Sequence, residues 1–380
     1  MIKSKALQEL AKATNTLENT ELRSWKEKGG KVVGYFCSWV PEELITAAGL
    51  LPFRMRARGS TGTELSDAYF SSTNCSFCRH AFNLALRGDY DFIDGIVYLN
   101  TCDHARRIYD NWKRQVKTPF LHFVSLPKKS GAPQVEWFRE ELTMLKENLE
   151  KHFGGEITDE RLREAIKLHN ETRHLQRQLY ELRKGKNPPI TGAESLAVTI
   201  AGTAIPKERY NELLRELLQE ISEPDGITDY RARLMLVGGM LDDPGFIKVI
   251  EDQGGLVVTD SLCFGSRIIW GDVDEKASDP LGALAYYEIA ERPSCPRMFG
   301  TYPKRSEFIR NMIRDFNVEG VIIERLLFCD MWLGEQFMIG KELKKEGVPF
   351  LRLDREYLLS NIGQVRTRVQ AFIESIEGAR

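Results

Sequence analysis

The sequence predicts an α/β protein with two parallel-sheet domains and a helical region between them. Apolar, strand-like runs alternate with amphipathic helical segments near both ends of the chain, whereas the middle has helical periodicity and no clear strand. One pattern, strand then Cys-Asp then helix, occurs in both outer parts. The expected organisation is an N-terminal helix at 1–30, a first α/β domain at 31–133, a helical region at 134–228 and a second α/β domain at 229–380.

The first domain begins with a predicted strand, KVVGYFCSWV (31–40), followed by a helix that starts in PEELITAAGLL (41–51). IDGIVYLN (93–100) predicts the second strand, and a Cys-Asp step and an amphipathic helix come directly after it. PFLHFVSL (119–126) predicts a third strand, which closes the unit. Strands and helices that alternate at these lengths favour a parallel sheet with helices on both faces.

The second domain shows the same alternation of predicted strands and helices. Its predicted strands are RLMLVGGM (233–240), LVVTDSLC (256–263), GVIIERLLF (320–328) and PFLRLD (349–354). A helix, GQVRTRVQAFIESI, closes the chain. DGIVYLN-TCDHARRIYDNW in the first half and EGVIIERLLF-CDMWLGEQFM in the second half share the order strand, Cys-Asp, helix. A diverged internal duplication would therefore place Cys102 and Cys329 at equivalent strand ends.

Composition excludes several classes of function. A formal net charge of -2 gives no electrostatic reason to expect a nucleic acid or an anionic membrane as partner. No run reaches the roughly 18 to 20 apolar residues that a membrane span needs, and the polar N-terminus has no signal-peptide core. We therefore expect a cytoplasmic protein. Seven cysteines in such a chain argue against a disulfide framework and for metal binding, chemistry or simple burial.

Six of the seven cysteines fall at predicted loops or element ends, where side chains can converge. Cys102 and Cys329 follow strands, and Cys75 opens a helix whose amide dipole favours a thiolate. Cys37 lies late in the first predicted strand, and Cys263 follows a later strand. Cys295 lies between two prolines.

The CxxC pair in NCSFC (74–78) is compatible with several kinds of site. A structural zinc site would need a second closely spaced pair, and the chain has a single CxxC. A thioredoxin-like redox pair would follow a strand, whereas NCSFC follows the polar stretch DAYFSST. Iron–sulfur clusters accept ligands scattered along a chain and fit best. The alternative is that most of these cysteines are buried small apolar residues.

Three stretches together resemble the 2-hydroxyacyl-CoA dehydratase and benzoyl-CoA reductase family, in its smaller cluster-bearing subunit. They are GYFCSWVPEELITAAGLLPFR, NCSFCRHAFNLALRGDYDFIDGIVYLNTCDHARRIYDNW, and FCDMWLGEQ with GQVRTRVQAFIE. The likeness spans residues 31 to 377. It implies two flavodoxin- or Rossmann-like domains with a helical part, and a [4Fe–4S] cluster held by three cysteines. Matched to this sequence, the implied ligands are Cys75, Cys102 and Cys329, whereas Cys78 is doubtful because family members often carry another residue there.

A related branch, the double-cubane cluster proteins, resembles the chain too. Members of that branch hold an [8Fe–9S] cluster with about six cysteines, and Cys37, Cys263 and Cys295 stand where they carry the additional ones. This interpretation implies a homodimer that reduces small molecules. Against it, FCDMWLGEQ and the C-terminal segment look closer to benzoyl-CoA reductase subunits. The sequence leaves both branches open.

The resemblance also implies a reaction and its partners. An ATP-dependent iron–sulfur activator would deliver single electrons at low potential, and the cluster would pass them to an acyl-CoA thioester. A second, related cluster-bearing subunit would complete the enzyme. A third possibility is an electron-carrying or scaffold subunit whose partner holds the substrate.

Five polar features near these cysteines are further candidates. Glu43 matches a carboxylate of the family and is interpreted either as a proton-transfer residue or as an exposed first-turn residue. His104 is a weaker acid–base candidate. Asp103 and Asp330, each after a predicted ligand, are expected to be helix N-caps. RMRARG (54–59) could contact coenzyme A phosphates or form a solvated basic loop.

Overall fold

The computed structural model describes residues 4–221, 226–359 and 362–379. The first sheet consists of β1 (Val32–Tyr35), β2 (Leu51–Arg54), β3 (Gly95–Leu99) and β4 (Phe120–Val124), in the spatial order β2-β1-β3-β4. The second sheet consists of β5 (Ala232–Gly238), β6 (Gly255–Ser261), β7 (Gly320–Leu326) and β8 (Phe350–Arg355), in the order β6-β5-β7-β8. Every pairing is parallel. The predicted fold class, two Rossmann- or flavodoxin-like domains, is confirmed.

Fourteen α-helices accompany the sheets within the described residues. Those up to the end of the first domain are α1 (Lys5–Asn15), α2 (Thr20–Glu27), α3 (Glu42–Ala47), α4 (Ser76–Arg87) and α5 (Asp103–Gln115). The middle region contains α6 (Ala132–Phe153), α7 (Asp159–Leu182), α8 (Gly192–Ala201) and α9 (Lys207–Glu220). The last part contains α10 (Gly245–Glu251), α11 (Pro280–Tyr286), α12 (Tyr302–Asp315), α13 (Asp330–Lys345) and α14 (Ile362–Glu377). The helices that the structure describes are all too short or too polar to cross a membrane.

The predicted helix start in PEELITAAGLL is confirmed by α3, but the helix is short and the strand that follows it was not predicted. The helix α3 ends at Ala47, Gly49 turns the chain with a φ of +77°, and Leu51 begins the strand β2. All four residues of β2 are buried, and periodicity cannot separate so short an apolar run from a buried helix. Pro52 is tolerated because β2 is at the edge of its sheet.

The N-terminal segment also differs from the single helix expected for 1–30. It forms α1 and α2, and each helix begins at a side-chain cap of its own. Ser4 accepts a hydrogen bond from the amide of Leu7, and Asn19 accepts one from the amide of Leu22. The helix α1 is amphipathic, and its buried side chains join those of α7, α8 and α9 in one apolar cluster.

The matching strand orders determine where a site can form. In each sheet the chain first moves to one side of the starting strand and then crosses to the other side, so the order reverses between β1 and β3 and between β5 and β7. Ligands of open parallel sheets bind beyond the carboxyl ends of the strands at such a reversal point. The strands β3 and β7 occupy equivalent places, as the internal repeat predicts.

A close approach between α8 and β6 gives the first prediction. A Cβ at Gly192 would lie 2.5 Å from the carbonyl oxygen of Val257. Gly192→Ala should therefore lower the free energy of unfolding by about 1–3 kcal/mol, because the backbone must shift. Gly334→Ala in α13 is the control, since its Cβ meets nothing within 4 Å, and it should raise stability by about 0.5–1 kcal/mol. Denaturant unfolding followed by circular dichroism measures both, and equal losses would contradict the packing described.

Candidate functional site

Three cysteines occupy the same structural position, because each is the N-cap residue of a helix. Cys75 precedes α4, Cys102 precedes α5 and Cys329 precedes α13. The helices α5 and α13 follow the equivalent strands β3 and β7. A helix N-terminus presents unpaired amides and the positive end of the helix dipole, which together favour a thiolate. The chain thus repeats one arrangement three times, in which backbone amides lower the pKa of the capping thiol, although burial outweighs them at Cys102 and Cys329.

The expectation that Asp103 and Asp330 cap these helices was wrong. The preceding cysteines have the non-helical backbone conformation of a cap residue, and the aspartates are the first helical residues. The amide of Ala105 donates to Sγ of Cys102 at 3.4 Å. Asp103 instead forms an exposed ion pair with Arg107 at 3.7 Å.

The sulfurs of Cys75, Cys78, Cys102 and Cys329, called here the first cysteine group, alter one another's ionisation. A hydrogen bond from Cys78 lowers the pKa of the Cys75 thiol, and the amides of Cys78 and Phe77 add to this effect against burial. The same hydrogen bond, together with burial, raises the pKa of Cys78, and the charges of the other three sulfurs raise it further. Burial raises the pKa of the Cys329 thiol, and the negative charges of Cys75 and Cys102 raise it further. These mutual effects mean that the four sulfurs lie near one another.

The cysteines Cys37, Cys263 and Cys295, called here the second cysteine group, also lie together. Cys37 follows β1 rather than lying within a strand as predicted, because β1 ends at Tyr35. Burial raises the pKa of the Cys37 thiol to about 12, with contributions from Cys295 and Cys263. Burial also raises the pKa of Cys102 to about 12, and the charge of Cys295 contributes there too. The two groups are therefore adjacent.

The donor set suits an anionic, thiolate-bound cluster. All seven cysteines are free. In the part of the chain that the structure describes, no three or more His, Cys, Asp or Glu side chains already form a metal-binding group. Beside the cysteines, however, the guanidinium groups of Arg292 and Arg297 each keep a buried Nε without a hydrogen-bond acceptor. Arg292 is already paired with the buried Glu288, whereas a negatively charged group held by the sulfurs would balance the charge of Arg297, and its binding would displace the thiol protons.

His104 connects the segments that carry the first cysteine group. Its Nδ1 lies 3.1 Å from Oδ1 of Asn74, and its Nε2 lies 3.4 Å from Oδ2 of Asp330. Asn74 and Asp330 each adjoin an N-cap cysteine of another helix, and His104 itself follows Cys102 by two residues. The imidazole thus braces helix starts through its contact with Asn74, while its Nε2, which has no hydrogen-bond partner, faces the Asp330 carboxylate. Its acid–base role stays a prediction.

The turn between β7 and α13 is unusually tight. Phe328 has a φ of +64°, in the left-handed region that residues other than glycine rarely adopt. The amide of Cys329 donates to the carbonyl oxygen of Leu326 at 3.0 Å. This turn holds Cys329 close to the carboxyl end of β7.

Glu43 is buried, with 1 % of its surface exposed, so its interpretation as an exposed first-turn residue was wrong. The reason is an ion pair with Arg173 of α7, which packs over α3. Both residues line an internal cavity of about 50 Å³ that also touches Ser38 and Arg292, enough for roughly three or four waters. Arg292 donates to Oγ of Ser38 at 3.0 Å, directly beside the second cysteine group. A proton-transfer role for Glu43 stays a prediction.

Neither interpretation of RMRARG describes its first two arginines. Arg54 and Arg56 are 2 % and 0 % exposed and donate to backbone carbonyl oxygens. Arg54 reaches the carbonyl of Cys263 at 2.6 Å, and Arg56 reaches that of Thr14 at 2.8 Å. Arg58 is on the surface and pairs with Asp243 at 3.1 Å. Burial of the first two excludes them from a solvated loop.

Sequence reasoning missed two further arginines, Arg267 and Arg297. Nη2 of Arg267 donates to Sγ of Cys263 at 3.1 Å. Arg297 lies among cysteines of both groups. The contacts of Arg297 join residues far apart in the chain, whereas Arg267 contacts a cysteine four residues away, and the available signal was the short distance of each arginine from a cysteine along the sequence.

The brace at His104 gives the second prediction. His104→Ala should lower the free energy of unfolding by roughly 1 kcal/mol, because the contacts with Asn74 and Asp330 are lost. His174→Ala is the control, since that exposed histidine contacts only Gln178 of its own helix among the described hydrogen bonds, and it should change stability by less than about 0.5 kcal/mol. Urea unfolding compares them. The same small effect in both variants would rule out the brace.

Comparisons with known proteins identify the family of the chain. A sequence model of the 2-hydroxyglutaryl-CoA dehydratase D-component family matches residues 37–376. The chain is 28% identical to a benzoyl-CoA reductase subunit of Thauera aromatica over 369 residues, which cover 95% of each chain. It is 27% identical to the (R)-phenyllactyl-CoA dehydratase beta subunit of Clostridium sporogenes, over 93% of this chain and 94% of that one. A weaker similarity, 22% over 60% of this chain and 56% of the other, relates it to a second benzoyl-CoA reductase subunit of Thauera aromatica.

Proposed function

The chain belongs to the 2-hydroxyglutaryl-CoA dehydratase D-component family, and on this premise we propose that it is the iron–sulfur subunit of an ATP-driven enzyme that reduces or dehydrates an acyl-CoA thioester. Relatives named as reductase and dehydratase subunits support this reaction class. The proposed location is the cytoplasm, where thiols stay reduced.

The observation that carries the proposal is the placement of Cys75, Cys102 and Cys329. All three cap helices, and two of the helices start at equivalent strand ends of the two domains. His104, two residues after Cys102, contacts Asn74 beside Cys75 and Asp330 beside Cys329, so the three helix starts lie next to one another. Scattered structural cysteines have no reason to share one backbone position. We propose these three as the ligands of a [4Fe–4S] cluster, with Cys78 as a packing neighbour.

Such a cluster would supply single electrons at low potential through an iron that three cysteines leave without a protein ligand. The chain's own residues have separate tasks. The helix N-termini stabilise the ligand thiolates, and His104 fixes the three helix starts relative to one another. The cavity beside Ser38 can hold waters near the second cysteine group, and Glu43 is one of three carboxylates that line it, with Glu42 and Glu288.

A related cluster-bearing chain and an ATP-dependent activator are the proposed partners. The relatives are named as subunits, and the chain resembles two different subunits of one reductase. An apolar stripe is exposed on α13, the helix that Cys329 caps: Leu333, Phe337 and Met338. We propose that this stripe is covered by the related chain, which would so shield the cluster from water. Self-association of this chain is the alternative.

The second cysteine group favours a second candidate function. Cys37, Cys263 and Cys295 lie together, next to Cys102 of the first group. Six cysteines so arranged suit a double-cubane [8Fe–9S] cluster in a reductase of small molecules. The third possibility is a subunit that only carries electrons to a substrate site in its partner. Such a subunit would need only the cluster held by the first cysteine group.

Iron content separates the roles of Cys75 and Cys78. Anaerobically purified protein should contain about four irons per chain. Cys75→Ala should lose most of this iron, since a cluster ligand is removed, whereas Cys78→Ala should keep it. Iron and sulfide quantitation measures both variants. Equal losses would make the CxxC a ligand pair and contradict the proposed ligand set.

The same measurement separates the two candidate functions. If only the first group holds a cluster, the double variant Cys263→Ser with Cys295→Ser should keep the iron content of the unmodified protein. If a double cubane is present, the unmodified protein should contain about eight irons per chain and the double variant about half of that. Eight irons per chain would overturn the single-cluster proposal.

A further inference from the structure

We propose that Arg297 is the counter-charge of the cysteine-bound cluster, shared between Cys102 of the first cysteine group and Cys37 and Cys295 of the second. The inference rests on the proposed function, because it requires an anionic group at the cysteines. Arg297 is not a ligand, and its charge would set the electrostatic potential at that group.

The geometry around Arg297 is that of a buried cation held by neutral oxygens. The side chain is in the loop before α12, and the residue is 5 % exposed. Its Nη2 donates to the backbone oxygen of Asn100 at 3.1 Å and to the side-chain oxygen of that residue at 3.2 Å. Further donations reach the carbonyl oxygens of Leu126 and Pro127. These acceptors follow β3 and β4, so a residue of the second domain is anchored at the carboxyl ends of strands in the first.

No carboxylate of the described residues forms a salt bridge with Arg297, although some other buried arginines have one. Arg173, Arg305 and Arg355 are each joined to a buried glutamate. A buried charge without a partner of opposite sign is unfavourable. The carbonyl oxygens satisfy hydrogen bonds but do not neutralise the positive charge.

Two observations show where the missing negative charge belongs. Nε of Arg297 is buried and has no acceptor. Arg297 donates to Asn100, two residues before Cys102, and follows Cys295 by two residues, so its guanidinium lies beside cysteines of both groups. The sulfurs supply that negative charge when they are thiolates, which is their form as metal ligands. The position of Arg297 therefore suits the state in which the cysteines are thiolates that hold a cluster.

This placement has a consequence for reduction. A fixed positive charge near an iron–sulfur cluster stabilises the more negative, reduced form, and so raises the reduction potential. Arg297→Gln keeps a polar side chain of similar reach and removes the charge. Its midpoint potential should therefore be more negative than that of the unmodified protein. Arg297→Lys keeps the charge and should stay close to the unmodified value.

Arg233→Gln is the matched control. Arg233 is 7 % exposed and also donates only to carbonyl oxygens through its side chain, among them Phe316 at 2.9 Å and Gly185 at 2.9 Å. It lies near the start of β5, at the opposite end of the sheet from the cysteines. Its replacement should destabilise the protein without changing the midpoint potential.

The test is an EPR-monitored redox titration of the anaerobically purified, full-length variants, with iron and sulfide counted in each. A negative shift in Arg297→Gln alone supports the inference, as does loss of iron from Arg297→Gln with full iron in Arg297→Lys. An unchanged potential in a fully loaded Arg297→Gln overturns it. Loss of iron from both Arg297 variants also overturns it, because the residue would then act as an interdomain clamp and not through its charge. Unmodified protein without iron overturns the proposed function together with this inference, so the two failures are distinguishable.

Discussion

The candidate site depends on the meeting of helix N-termini at the carboxyl ends of parallel strands. A cysteine that caps a helix has unpaired amides around its sulfur, and these amides favour the thiolate over the thiol. Cys102 and Cys329 obtain this position from the same βα connection in two domains, after β3 and β7. Cys75 obtains it at the start of α4. The βα topology therefore does more than support the site, because it supplies the electrostatic field that a cluster ligand requires.

Much of this could be predicted from the sequence, because the signals are local. Seven of the eight strands are marked by apolar runs in the sequence, and five of these seven are buried along their whole length. The repeated Cys-Asp step indicates the equivalence of β3 and β7. The strand β2 was missed because the four residues LPFR, directly after a short helix, are too few to show a period of their own. The caps were assigned to Asp103 and Asp330, one residue too late, because a cap is defined by backbone angles that the sequence does not show.

The features that escaped prediction are buried charges. Glu43 is paired with Arg173, 130 positions away along the chain, and Arg297 contacts residues 170 to 197 positions away. Such partners follow from how the domains pack together and not from any local pattern. They also join the functional parts physically, since the loop that carries Cys295 and Arg297 is fastened to the strand ends of the first domain. One guanidinium thus links domain packing to the charge balance of the site.

The central claim is that three N-cap cysteines, and no other protein side chains, hold a single cluster. A Mössbauer spectrum of anaerobically prepared, ⁵⁷Fe-labelled protein tests it most directly, because the spectrum separates irons by their ligands. We expect about one iron in four to differ from the rest, since three thiolates cannot serve four irons. A spectrum in which every iron has a thiolate ligand, or a protein without bound iron, would contradict this claim.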